Sequence, residues 1–246
     1  IEKKIKYGYV WQGKQYEGLS CVFLEIIKGF GGEWINKQGN ITLNSQENLN
    51  AVTWLYKLIE EGVSPKSVTN FAENESLQVF KSGNAAFMRN WPYAWAELNK
   101  SDSNVKGKVG ITTMVSLKNT QPIATLGSWG FSILKGSRNK EKTFRAIAYL
   151  TSVTSQEFLF KNYGYTPISK SIYSNRDLTS NYPILKVLSK GLAITYSRPE
   201  TPIYAQISDV LQRNLSSILT GKLSPIDGLQ KAHKNSNKII NATGGI

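Results

Sequence analysis

The sequence predicts an α/β fold, on two observations. Short runs of β-type residues closed by glycine or proline are interleaved with longer segments whose apolar residues recur at helical spacing. The chain, 246 residues with 40% apolar and 19% charged side chains, is long enough to bury a sizeable core in one large domain or two ordinary ones. A third feature organises the rest. Arg89-Asn90-Trp91-Pro92-Tyr93-Ala94-Trp95 gathers three large aromatics and an arginine in seven residues, just after a small, flat run, Gly83–Met88, that reads as a buried strand. Such a cluster at a strand end is either a ligand platform or a core plug. Pro92 stops the strand where the rings sit, which favours an edge.

In chain order, Tyr7–Trp11 reads as a strand. From Gln15 a helix follows, with Leu19, Val22, Phe23, Ile26, Ile27 and Phe30 on one face, and Gly31-Gly32 stops it. Cys21 flanks that face and is expected to be an inert, half-buried thiol. Asn44-Ser45-Gln46-Glu47 resembles a capping box and starts a second helix closed by Gly62. Asn74–Ser82 predicts a short helix with Leu77 and Phe80 inward. Val109-Gly110-Ile111 predicts a further strand.

The stretch Ile123–Leu134 holds Gly127-Ser128-Trp129-Gly130, where the paired glycines permit either a close approach to a ligand or a bulge. Helices are then predicted at Asn139–Ser152, with Phe144, Ile147, Ala148 and Leu150 apolar, and around Phe158 and Leu159. Gly164-Tyr165-Thr166-Pro167 is an extended turn and Pro183–Gly191 a helix. Arg198-Pro199-Glu200-Thr201-Pro202 leads into a long helix ending at Gly221, and Ser224-Pro225 caps the last one.

The same residues exclude several chemistries. One cysteine leaves no internal disulfide framework or cysteine-rich metal site, and with His233 the one histidine, zinc and Ser-His-Asp chemistry are not expected. His233 lies among lysines and reads as a solvated surface residue. Gly136 is followed five residues later by Glu141 rather than glycine, so no phosphate-binding loop forms there. No cofactor is expected. The 30 basic against 17 acidic residues give a formal charge of +13, but the cations are spread singly. A solvated surface or attraction to an anionic membrane accounts for them without nucleic acid. No apolar run approaches a membrane span. Residues 1–6 lack the apolar core of a signal peptide, and without an initiator Met the chain is expected to begin inside a longer one.

Four ordered motifs carry a resemblance. They are Gln15-Tyr16-Glu17-Gly18-Leu19 with Phe23-Leu24-Glu25 and Gly31-Gly32; Met88-Arg89-Asn90-Trp91-Pro92-Tyr93-Ala94; Gly127-Ser128-Trp129-Gly130; and Arg198-Pro199 with Thr201-Pro202 and Tyr204. In this order, over nearly the whole chain, the sequence resembles the extracellular solute-binding family 1 of ATP-driven importers, in particular its trehalose/maltose-binding members. The resemblance implies a periplasmic-binding-protein type II fold, the two-lobed venus flytrap. Residues 1–122 and 177–246 would form most of the C-terminal lobe, and residues 123–176 a returning segment of the N-terminal lobe. The family's opening third, with its signal peptide and most of that lobe's sheet, has no counterpart here.

The resemblance also implies the site. Trp91 would be the stacking platform, with Tyr93 beside it and Tyr16 facing them; Trp129 would close the pocket from the other lobe. Gly127 and Gly130 would let backbone groups reach the sugar, and Arg198 would be a forked donor. Glu17 would be an acceptor or a helix cap, and Arg89 a site residue or a structural ion-pair partner. The physical case is parallel, since a pyranose has an apolar face that stacks on an aromatic plane and hydroxyls that need fixed partners. No opposed carboxylate pair accompanies the aromatics, so hydrolysis is not expected. The implied protein is a monomeric, non-enzymatic binding component outside the cytoplasmic membrane, periplasmic or lipid-anchored, whose partners are a small sugar and the importer's membrane permease.

Overall fold

A computed structural model describes residues 5–243. The chain opens with β1 (Tyr7–Val10), then α1 (Glu17–Gly29) and α2 (Gln46–Glu60). Gly31, at φ +85°, takes the left-handed turn that ends the first helix. The Ser45 hydroxyl accepts from the Asn48 amide at the start of α2, the cap read from the sequence. After a 3-10 turn (Lys66–Asn70) come α3 (Glu73–Lys81), β2 (Ala85–Met88) and α4 (Ala94–Leu98). β1 and β2 pair in parallel, Tyr7 opposite Ala85 and Val10 opposite Met88.

This small sheet packs with α1 and α2 into the main core, where Trp11, Phe23, Leu24, Trp34 and Leu55 are fully buried. The core is completed from the far end of the chain by α10 (Tyr204–Leu219) and α11 (Pro225–Ala242). Ile207, Leu211, Leu215 and Ile218 of α10 are wholly inside, as their spacing predicts. Ser20 on α1 and Ser208 on α10 share a buried hydrogen bond of 2.9 Å.

Between these halves the chain makes an excursion. β3 (Ala124–Thr125) leaves the core and pairs in parallel with β4 (Thr195–Tyr196), where the chain returns. The excursion carries α5 (Lys140–Leu150), α6 (Val153–Tyr163), α7 (Lys170–Ser174), α8 (Arg176–Asn181) and α9 (Ile184–Ala193). A second core of Phe160, Ile172, Leu178, Leu185 and Leu188 joins the last four of these and draws in Trp95 and Ile111. This second core runs across residues 176 and 177, and the β3–β4 pairing brackets 126–194.

Other expectations are corrected. Residues 109–111 form no strand, and β2 is an edge rather than a buried strand, with Phe87 exposed. In both places the backbone lacks a further strand to pair with. Cys21 is fully buried, and burial pushes its thiol up to about 11. His233 is half-buried, its Nε2 against Asn237 and its Nδ1 buried without a partner. The helices α5 and α6 form where expected but do not bury their apolar faces: Phe144, Tyr149, Leu150 and Phe158 are exposed, and Phe160 is the ring that points in. Accordingly, Phe160→Ala should cost about 3–5 kcal/mol in urea unfolding, while Phe144→Ala stays within about 0.5 kcal/mol of the parent.

Candidate functional site

The seven-residue aromatic stretch divides between the two alternatives its sequence allowed. Trp95 packs into the second core. Trp91 and Tyr93 are only half-buried, on the turn that Pro92 forces after β2.

Trp91 is held from several sides. The buried Arg89 guanidinium lies 4.3 Å from the ring centroid, a cation–π contact on one face. The indole Nε1 donates to Glu73 Oε1 at 3.0 Å, and the backbone amide of Trp91 donates to Asn90 Oδ1 at 2.8 Å. Asn90 is in turn fixed by its own side-chain amide on the Glu73 carbonyl at 3.0 Å. Gly127 abuts the ring edge, since a Cβ built there would sit 3.0 Å from it.

Arg89 is itself fixed. Its Nε and Nη2 donate to the two Glu25 oxygens at 2.8 and 2.7 Å, and its Nη1 donates to Gln12 Oε1 at 3.0 Å. Gln12 returns a hydrogen bond to the Arg89 carbonyl at 3.0 Å. All three residues are buried. Burial alone would pull the guanidinium pKa down, but the Glu25 carboxylate pushes it above its ordinary value, so Arg89 stays charged. Glu25 Oε1 also accepts from the Thr125 amide at 3.1 Å, and Thr125 Oγ1 donates to the Cys21 carbonyl at 3.0 Å. Of the two readings of Arg89, this contact set is that of an ion-pair partner placed behind the platform.

Tyr16 and Glu17 are adjacent at the start of α1 and take opposite directions. The Tyr16 hydroxyl is buried beside the Glu73 carboxylate without a hydrogen bond of sound geometry. Burial and then that carboxylate push it well above its ordinary pKa. The Tyr16 ring lies over Gly18, where any Cβ would collide with it. Burial, then Glu73, raises the Tyr93 hydroxyl as well. Tyr16 and Trp91 thus meet at one carboxylate, absent from the candidates read from the sequence, whose charge also reaches Tyr93. The available signal was an acidic residue, Glu73, at the first position of the helix that precedes β2 and the aromatics.

Glu17 turns toward α10. Its Oε1 accepts from Arg198 Nη1 at 2.6 Å and from the Tyr204 hydroxyl, and its Oε2 from Ser208 at 2.8 Å and Gln212 at 3.2 Å. A carboxylate offers about four acceptor positions, so Glu17 is fully engaged. The Arg198 guanidinium also lies 5.7 Å from the Tyr204 ring centroid. Arg198 lines a cavity of about 460 Å³ with Lys28, Trp34, Tyr196 and Glu200, none of them a platform ring. Trp129 is entirely exposed, and Gly130 has nothing within 4 Å of where a Cβ would be. The structure therefore brings Tyr16, Trp91, Tyr93 and Gly127 together, joins Glu17 to Arg198, and leaves Trp129 and Gly130 apart. Among the described residues no group of three His, Cys, Asp or Glu could hold a metal ion, and no helix is long and apolar enough to cross a membrane.

Comparison with known proteins decides the family. Residues 1–157 match the bacterial extracellular solute-binding protein family. The chain belongs to that family. A probable ABC transporter-binding protein of Deinococcus radiodurans is 35% identical over 222 residues, covering 89% of this chain and 53% of the relative. Maltose-bound MalE3 of T. maritima superposes with a TM-score of 0.90 at 34% identity, over 95% of this chain and 60% of that one. A ribitol-bound solute-binding protein of Agrobacterium radiobacter gives 0.84 at 28%, over 95% and 60%. The chain thus spans between about half and three-fifths of the length of these relatives. Its fold is the type II periplasmic-binding-protein fold that the motifs implied.

In this family member the Glu25–Arg89 pair is expected to dominate local stability. Glu25→Ala strands a buried guanidinium and should cost about 3–5 kcal/mol in urea unfolding, whereas Glu25→Leu with Arg89→Met should recover most of that loss.

Proposed function

We propose that this protein is the solute-receiving component of an ATP-driven importer, that it takes a neutral sugar, and that the sugar is a disaccharide or α-glucoside of the trehalose, maltose or sucrose type. The single observation that carries this is the clamped Trp91 ring, backed by Arg89 on one face and pinned at Nε1 by Glu73. A pyranose stacks on such a plane without any reacting group. The maltose in the MalE3 structure and the ribitol in the second relative support a polyhydroxylated ligand.

In this reading residues 1–122 and the chain from β4 onward form the C-terminal lobe, and 126–194 belong to the other. The exposed apolar face of α5 and α6 would be covered by lobe sequence of the kind the longer relatives carry. Arg198, held by Glu17, and Trp129, carried on the opposite segment with Gly127 and Gly130, would reach the ligand as the lobes close. The ligand leaves chemically unchanged, to a membrane permease, and the protein works as a monomer outside the cytoplasmic membrane, periplasmic or lipid-anchored, without nucleic acid.

The test is a tryptophan-fluorescence titration with maltose, trehalose, sucrose, ribitol and mannitol at low and high salt. A saturable change, largest for an α-linked disaccharide, insensitive to salt and lost in Trp91→Ala, is expected. No response to any of the five overturns the sugar reading, and an affinity that collapses with salt would point to a polyanion instead.

A further inference from the structure

We infer that Glu73 accepts hydrogen bonds from hydroxyls of the ring stacked on Trp91, and that its charge selects neutral polyhydroxylated ligands against anionic ones; this rests on the sugar reading above. Three observations lead there. A stacked sugar ring needs a strong acceptor at the platform edge, because hydroxyls stripped of water and left unpaired cost more than stacking returns. The acidic residue that the motifs pointed to, Glu17 beside Tyr16, is taken up by four protein donors. Glu73 is not: among the described residues one side-chain hydrogen bond of sound geometry reaches its carboxylate, the 3.0 Å bond from Trp91 Nε1 to Oε1. One lone pair of Oε1 and both of Oε2 remain for the Tyr16 hydroxyl and for ligand.

The position also suits an acceptor of this kind. Glu73 is the first residue of α3, where the positive end of the helix dipole favours negative charge. It is half-buried, exposed enough to meet a ligand and enclosed enough for its charge to act at short range. The Trp91 bond sets the geometry, since an oxygen already fixed to the indole N–H lies at the ring's own edge. A hydroxyl on a sugar stacked over that indole meets the same carboxylate. A uronate or sugar phosphate at that place meets a like charge.

The experiment compares wild type, Glu73→Gln and Trp91→Phe by calorimetry, using the panel sugar bound most tightly by the wild type, its mono-deoxy analogues and its uronate. Glutamine keeps the size and can still accept from Trp91, so the platform should persist, with the melting temperature close to the parent's. The expected result is that Glu73→Gln binds the sugar at least tenfold more weakly. At one or two ring positions the deoxy penalty seen in the wild type should disappear in Glu73→Gln, and discrimination against the uronate should shrink. If Glu73→Gln weakens the sugar and every deoxy analogue equally, or if Trp91→Phe reproduces its whole effect, Glu73 only orients the indole and the inference is overturned. Unchanged affinity in Glu73→Gln overturns it too, while the sugar reading stands. A wild type that binds none of the sugars brings down the sugar reading itself, a distinct outcome.

Discussion

Burying a carboxylate with a guanidinium is costly unless both are hydrogen-bonded almost completely, and here the pair Glu25–Arg89 sits where four segments meet. Glu25 is on α1, Arg89 follows β2, Gln12 follows β1, and the Thr125 amide belongs to β3. The arrangement joins the end of the small parallel sheet to the strand by which the chain leaves the main core. Because the guanidinium also lies against Trp91, the orientation of the platform and the path of the excursion are set by the same few hydrogen bonds. The chain cannot reposition one without disturbing the other.

Around that anchor the acidic residues divide their work. Glu17 ties the start of α1 to α10 through Arg198, Tyr204, Ser208 and Gln212. Glu73 stands at the platform and accepts from Trp91 Nε1. The two tyrosines near Glu73 have raised hydroxyl pKa values because burial and its charge both disfavour a second anion, so they stay protonated across the physiological range and remain donors. A neutral, hydroxyl-rich ligand suits that balance of one fixed anion, several O–H and N–H donors and flat apolar rings.

Much of this was legible in the sequence, and the failures have physical causes. Helices with a one-sided apolar stripe and a clear cap, such as α2 with Ser45 or α11 with Ser224-Pro225, need little from elsewhere and were read correctly. The four motifs carry the family and fold, and they place Trp91, Tyr93 and Tyr16 among the candidate residues. Glu73 was missed because nothing local distinguishes it; its meaning comes from Trp91 folding back onto the start of α3. The strand expected at 109–111 does not form, and the apolar Phe144 and Phe158 are exposed, because sequence pattern reports which residues are apolar, not whether a partner is there to cover them. The short helices α7 and α8 escaped notice because five or six residues give no periodic signal.

The most direct test is a crystal structure of the protein soaked or co-crystallised with maltose. The account predicts a glucose ring lying flat on Trp91, on the face away from Arg89, with the Glu25–Arg89 contacts unchanged. A sugar bound elsewhere, or one at this place whose ring does not touch Trp91, would contradict it.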